Sequence, residues 1–385
     1  MADPGAAAKI YADSDTLRGV TYDQLRRAVE QTADSIVITD SGGIIQYVNP
    51  AFERTTGYSA GEVLGRSPAV LKSGKHDAQF YRGLWDRLLA GEAFRGIIIN
   101  RKKSGELYWA EQTISPIRND SGDITHFVSV LNDVTERRKK EEQEFHLQLA
   151  REVQQRYYST TVSLEGFDIA GAAHPADQTG GDLFDFIERP DGSLYVVIAD
   201  VTGHGFASAL VMAETRATLR SYATVVPDIT SLLVSVNRSL AITLGGNRLV
   251  TMLLCHIDPR KRLLEYVGAG HEPGYVLRRS GEVAARLCSS SPPLGFSADQ
   301  EFQSGGFVPI EHGDTIVMLT DGITESTDTA DAMFGAERAL DFIRDHADRS
   351  ASELVEGLYE AARAFADGEP QMDDSTSIIC KVGTD

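Results

Sequence analysis

The sequence predicts an α+β protein of two domains joined by a helix, and three observations carry that prediction. Short apolar strands follow one another through Gly- and Pro-bearing turns, while helical stretches come in pairs and do not alternate with single strands. A chain of 385 residues exceeds what one ordinary core supports. From Glu136 to Tyr158 the chain reads ERRKKEEQEFHLQLAREVQQRYY, with no Gly or Pro. These shifts divide the chain into a loose segment 1–20, a first domain 21–135, a connector 136–160 and a second domain 161–385.

In the first domain, Leu25 to Thr32 reads as a short amphipathic helix and Ser35 to Asp40 as a strand. Ser41-Gly42-Gly43 turns the chain into a second strand, Ile44 to Val48, which Asn49-Pro50 ends before a helical stretch. Three longer strands are expected at 94–101, 106–117 and 124–133. One face of such a sheet needs helices or a second protomer to cover it.

The connector repeats Phe145, Leu149, Val153 and Tyr157 every four residues, with Leu147 and Ala150 widening the stripe. That period is helical, and pairing in a parallel dimer is the expected use of the stripe.

The second domain is strand-rich, with strands expected at 167–173, 182–189, 194–201, 248–258, 262–269, 274–279, 314–320 and 375–382. Pro190-Asp191-Gly192-Ser193 is a hairpin turn in which proline presets φ and glycine takes φ > 0. Helix pairs are expected at 206–224 with 228–244, and at 335–346 with 351–366. Ser350 and Glu353 form a capping box for the last helix.

Composition narrows the function. A net charge of −19 argues against nucleic-acid binding and against docking on an anionic membrane. Cys255, Cys288 and Cys380 share no CxxC spacing and read as reduced thiols. The start lacks the basic and apolar regions of a signal peptide, and no apolar stretch approaches a membrane span. The expected location is the cytoplasm.

Four aspartate motifs stand out: Gly180-Gly181-Asp182, Asp200-Val201-Thr202-Gly203-His204-Gly205, Thr320-Asp321-Gly322 and Asp373-Asp374-Ser375-Thr376. Asp200 and Asp321 end apolar strands, Asp182 starts one, and Asp373 and Asp374 precede the final strand. Acidic residues at strand ends converge at one rim of a sheet, where small neighbours admit a ligand closely. Such a group repels itself without cations, and hard divalent ions want oxygen ligands. Two Mg²⁺ or Mn²⁺ ions are therefore expected.

In this order the motifs resemble the SpoIIE/RsbU-type branch of the PPM metal-dependent protein phosphatases, over about 160–385, and LQLAREVQQ is similar to the helix that precedes such domains. The resemblance implies an α-β-β-α sandwich and hydrolysis of phosphoserine or phosphothreonine by water activated between two cations, without a phosphoenzyme. It implies metal-ligand roles for Asp182, Asp200, the Val201 carbonyl, Asp321 and Asp373, with Asp374 the secondary member of its pair. Asp185 is expected in a structural or third-metal role, and His204 in orienting its loop. The implied substrate is a phosphorylated STAS-type anti-anti-sigma protein that controls a bacterial sigma factor. One departure is that His174-Pro175-Ala176 offers no arginine to grip phosphate. Two rivals are a diguanylate cyclase-like enzyme, suggested by GGDLF, and a PPM-fold binding module without activity. Leu183 stands where a cyclase needs an acid, and the intact motifs disfavour the module.

Residues 22–135 resemble a PAS domain through VITDSGGIIQYVNPAFERTTGYSAGEVLGR and the stretch from Asn100 to Arg138. Against the light-sensing pattern, Asn100 matches a flavin-contacting asparagine. Pro68 stands at the photoreactive cysteine position, Ala110 at the second asparagine and Leu131 at the glutamine. That pattern argues against cysteine photochemistry, leaving a non-covalent flavin, another small ligand or a ligand-free dimerisation module. Trp85 and Trp109 read as core or as cofactor contacts, and Arg101, Lys102 and Lys103 as a solvated turn.

Overall fold

The computed structural model describes residues 16–17, 20–158 and 162–383. Of the segment 1–20, expected to be loose, residues 1–15 and 18–19 lie outside the described residues. Thr16–Leu17 (β1) pairs antiparallel with Val20–Thr21 (β2). The chain divides into two compact units, Met1–Glu144 and Phe145–Asp385.

In the first unit five antiparallel strands, Ser35–Asp40 (β3), Ile45–Val48 (β4), Phe94–Arg101 (β5), Leu107–Arg118 (β6) and Ile124–Asp133 (β7), form a sheet of order β4-β3-β7-β6-β5. Asn49 explains the break after β4. Its Oδ1 accepts from the Ile36 and Phe52 amides at 2.9 and 3.0 Å, capping the helix Pro50–Thr56. Its Nδ2 donates to the Val29 and Asp34 carbonyls, both at 3.0 Å, so one amide ties a helix, a strand and a turn together. The turn after β5 is not simply solvated, because Lys102 pairs with Glu106 and Asp133, and Lys103 with Glu62.

Helix Thr135–Gln155 crosses the division between the units. Phe145, Leu149 and Val153 are all exposed along it.

The second unit holds two five-stranded antiparallel sheets. Phe167–His174 (β8), Leu183–Glu188 (β9), Leu194–Val201 (β10), Val250–Asp258 (β11), Leu263–Ala269 (β12), Gly274–Leu277 (β13), Val283–Leu287 (β14), Gly306–Pro309 (β15), Thr315–Leu319 (β16) and Ser375–Val382 (β17) are its strands. They run in the orders β15-β12-β11-β10-β9 and β14-β13-β16-β17-β8. Side chains of both sheets, among them Phe184, Ile198, Leu253, Met318 and Ile378, share one core. Helices Phe206–Ala223 and Ile229–Leu244 pack on the outer face of the first sheet. Helices Gly335–Asp345 and Ala351–Phe365 pack on that of the second, and Ser350 and Glu353 close the capping box. The result is the expected α-β-β-α sandwich. Its central strands are buried on both faces, which is why VVIAD and IVMLT read as continuous apolar runs.

Two differences from the expectation matter. The edge strands β14 and β15 were not anticipated, because their alternate residues face solvent and only pairing makes them strands. Asp321 does not end a strand: β16 stops at Leu319 and Asp321–Thr324 turns into a short helix. Among the described residues no helix is long and apolar enough to cross a membrane.

Candidate metal-binding active site

The antiparallel registers bring the four motifs to one rim. β10 delivers Asp200 opposite Thr251 of β11. β9 begins just after Asp182, and Thr320, between β16 and Asp321, donates from Oγ1 to Asp182 Oδ2 at 2.8 Å. Thr320 Oγ1 in turn accepts from the Thr376 amide at 2.9 Å, joining the last strand to the group.

The carboxylates feel one another. Asp182 is raised well above the usual carboxylate range, first by complete burial and then by the charges of Asp200 and Asp374. Asp200 is pushed up to about 7 by burial and then by Asp321, Asp373 and Asp374. Asp321 is pushed up to about 6 by burial, then by Asp373, Glu325 and Glu272. Asp182 Oδ1 is buried with no hydrogen-bond partner. A buried carboxyl oxygen left without a partner beside other acids fits a cation-binding role. Among the described residues no three His, Cys, Asp or Glu side chains are placed so that they could together hold one metal ion. Mg²⁺-type ions do not require such a set, since they keep several waters and take one or two carboxylates.

Glycine makes the close approach possible. A Cβ on Gly181 would lie 3.0 Å from the Val201 carbonyl oxygen, and one on Gly322 would lie 2.0 Å from the Asp374 carbonyl oxygen. The Val201 carbonyl thus faces the Gly181 turn.

Other motif residues separate by environment. Asp373 is exposed at the rim, whereas Asp374 is buried. Asp374 accepts from the Ala176 amide at 2.8 Å, from Gly181 at 2.5 Å and from Asp182 at 3.5 Å. Asp374, expected as the secondary metal ligand of its pair, thus holds the loop that carries Asp182 through backbone amides. Asp185 is fully buried and forms an ion pair with Arg220 at 2.6 Å and Arg216 at 3.2 Å, a structural arrangement. His204 is exposed, with Nδ1 2.7 Å from Asp177 Oδ2, and this contact raises its pKa. Arg248 donates from Nη1 to the Thr202 carbonyl and to Ser208 Oγ, anchoring the turn beside Asp200.

Two nearby residues were missed from sequence. His271 is buried, with Nδ1 2.9 Å from Thr251 Oγ1, and burial pushes its pKa down to about 4. Glu272 accepts from Thr324 Oγ1 at 2.9 Å and adds charge beside Asp321. The available signal was their place in Gly270-His271-Glu272, directly after an apolar strand.

In the first unit a cavity of about 290 Å³ lies between sheet and helices. Asn100, Gln112, Trp85, Pro68 and Leu131 line it, and the Tyr81 hydroxyl on its wall is buried without a partner. Trp85 packs edge-on against Phe127. Ala110 is buried nearby in the sheet.

The model of the family described as Stage II sporulation protein E (SpoIIE) matches residues 190–383. The chain belongs to the SpoIIE family. A PAS-fold model matches 23–134, so a PAS domain precedes the SpoIIE/RsbU-type phosphatase domain. The SpoIIE-family chain is 28% identical over 236 residues to phosphoserine phosphatase RsbU of Bacillus subtilis (strain 168), covering 61% of this chain and 69% of that protein. It is 36% identical over 107 residues to a nitrogen fixation regulatory protein of Klebsiella oxytoca, covering 28% of this chain and 22% of that protein. The chain thus spans about a fifth of that second relative. The SiaA-PP2C domain of Pseudomonas aeruginosa superposes with a TM-score of 0.56 at 24% identity, covering 64% of this chain and 99% of that one. At that identity the likeness speaks to the fold. Membership of the PPM class carries with it a general dependence on divalent metal ions.

Proposed function

We propose that this chain is a cytoplasmic, signal-regulated protein serine/threonine phosphatase working with two Mn²⁺ or Mg²⁺ ions. The observation that carries the reading is the buried, unpartnered Oδ1 of Asp182 beside Asp200, whose carboxylate in turn feels Asp321 and Asp373. Asp182 and Asp200 would hold both ions, the Val201 carbonyl would complete the first site, and Asp321 and Asp373 the second. Bound there, the ions supply an activated water and neutralise charge on the phosphoryl group. Asp374 and Thr320 hold Asp182 in place, and His204, steadied by Asp177, orients the loop beside Asp200.

The substrate proposed is a phosphorylated STAS-type protein whose dephosphorylation controls a sigma factor. The similarity to a phosphoserine phosphatase, RsbU, supports this class. The connector is proposed to pair with that of a second copy through Phe145, Leu149 and Val153, passing on the state of the PAS domain. For the PAS cavity a non-covalent flavin is proposed, with Asn100 on its polar edge and Pro68 denying it a cysteine adduct.

Hydrolysis of p-nitrophenyl phosphate with Mn²⁺ or Mg²⁺, followed by a phosphoserine STAS protein, tests the phosphatase. Wild type should turn over only with metal, and Asp200→Asn and Asp321→Asn should lose that activity. A metal-independent rate, or full activity in both variants, overturns the reading. No turnover on either substrate leaves an enzyme held off by its sensory domain or a binding module, which a chain beginning near Phe145 would separate. Flavin absorbance in the purified protein tests the cavity.

A further inference from the structure

Gln154 is buried, although its neighbours Glu152 and Val153 on the connector helix are exposed. Its Nε2 donates to the Gly180 carbonyl at 2.6 Å, and its Oε1 accepts from the Gly180 amide at 3.1 Å. Burying a glutamine costs side-chain rotamer freedom, so such a placement needs a compensating role. Here it satisfies both backbone groups of one buried residue. Four residues on, the Tyr158 hydroxyl donates to the Asp182 carbonyl at 2.7 Å, and its ring stacks on Phe184 at 5.0 Å. Between these side chains, Tyr157 lies 5.2 Å beneath the Arg216 guanidinium, the partner of Asp185. From the other side Asp374 takes the Gly181 amide. The Gly180–Gly181–Asp182 turn is therefore held between the end of the connector and the last strand.

We infer that Gln154 and Tyr158 are positioning residues for divalent-cation binding, fixing the backbone from which Asp182 projects. The inference rests on the metal-site reading above and adds that metal affinity depends on the end of the connector. A Cβ on Gly180 would lie 2.7 Å from Asp374 Oδ2, so the turn has little freedom once Gln154 grips it. Released from that grip, the turn can rotate and carry the Asp182 carboxylate off the rim.

The test measures Mn²⁺ binding to the full chain by electron paramagnetic resonance of free Mn²⁺, with the activation midpoint for p-nitrophenyl phosphate alongside. Gln154→Met keeps length but leaves the Gly180 amide and carbonyl unpaired; Tyr158→Phe removes one hydroxyl and keeps the stack. Leaving buried groups unpaired weakens Mn²⁺ binding by about tenfold in Gln154→Met, and one lost hydrogen bond by about threefold in Tyr158→Phe. Added Mn²⁺ should recover turnover in both. Folded variants that bind Mn²⁺ as wild type does, or more tightly, overturn the inference. Should Gln154→Met fail to fold, Tyr158→Phe decides by the same criterion. A wild type that binds no Mn²⁺ overturns the metal-site reading itself, and this inference with it.

Discussion

The Gly181 amide donates to Asp374 Oδ2 at 2.5 Å, across 193 positions of sequence. This contact separates two adjacent aspartates that look alike in the motif. Asp374→Ala strips a buried loop of its acceptor and should cost about 2–4 kcal/mol, since each hydrogen bond to a charged group contributes about 1.5–3 kcal/mol. Asp373→Asn, at an exposed position, should leave stability nearly unchanged while abolishing metal-dependent turnover. Urea unfolding and Mn²⁺-dependent hydrolysis on both variants check the contrast.

The pH dependence of stability should have an unusual sign in the metal-free protein. Asp200 at about 7 and Asp321 at about 6 both lie above the usual carboxylate value of 3.8. Between about pH 4 and 7 the folded state therefore binds more protons than the unfolded one, and stability falls as pH rises through that window. Thermal melts in chelator should show it, and Mn²⁺ should raise the melting temperature more at pH 7.5 than at pH 5. A melting temperature that climbs steadily from pH 4 to 7 in chelator counts against the clustered carboxylates.

Asp185 is expected to act through Arg216 and Arg220. Asp185 is buried but Arg220 is 39% exposed, so Asp185→Asn should cost less than the about 3–5 kcal/mol of a pair buried on both sides and still be measurably destabilised. Its Mn²⁺ midpoint should match wild type once the protein is folded. Unchanged stability with a shifted Mn²⁺ midpoint would instead assign Asp185 the third-metal role.

The connector prediction concerns assembly. Leu149→Glu or Val153→Glu places a charge in an apolar stripe that remains exposed within one chain. Sedimentation should show a dimeric wild type and monomeric variants, with the PAS domain no longer altering phosphatase activity. A monomeric wild type, or regulation unchanged in both variants, removes the paired connector.

Much of the architecture was legible because each element announces itself locally. The sandwich strands read as apolar runs between turns, and Ser350 with Glu353 marked the last helix. The helix pairs appeared within a residue or two of their expected ends. The edge strands β14 and β15 escaped notice because alternate residues of each face solvent; β14 follows β13 in a hairpin, whereas the partner of β15, β12, lies far back in the sequence.

The sequence alone determined the order of the four aspartate motifs, the two-domain plan and the helical connector, because spacing and composition are local properties of the chain. Tertiary structure decided how neighbouring acids differ. Asp373 stays at the rim, Asp374 serves backbone amides, Asp185 meets two arginines, and His271 and Glu272 join from a motif that spacing did not single out. Charge state and hydrogen-bond partners depend on what other segments bring within a few ångströms, and the motifs themselves carry no record of that company.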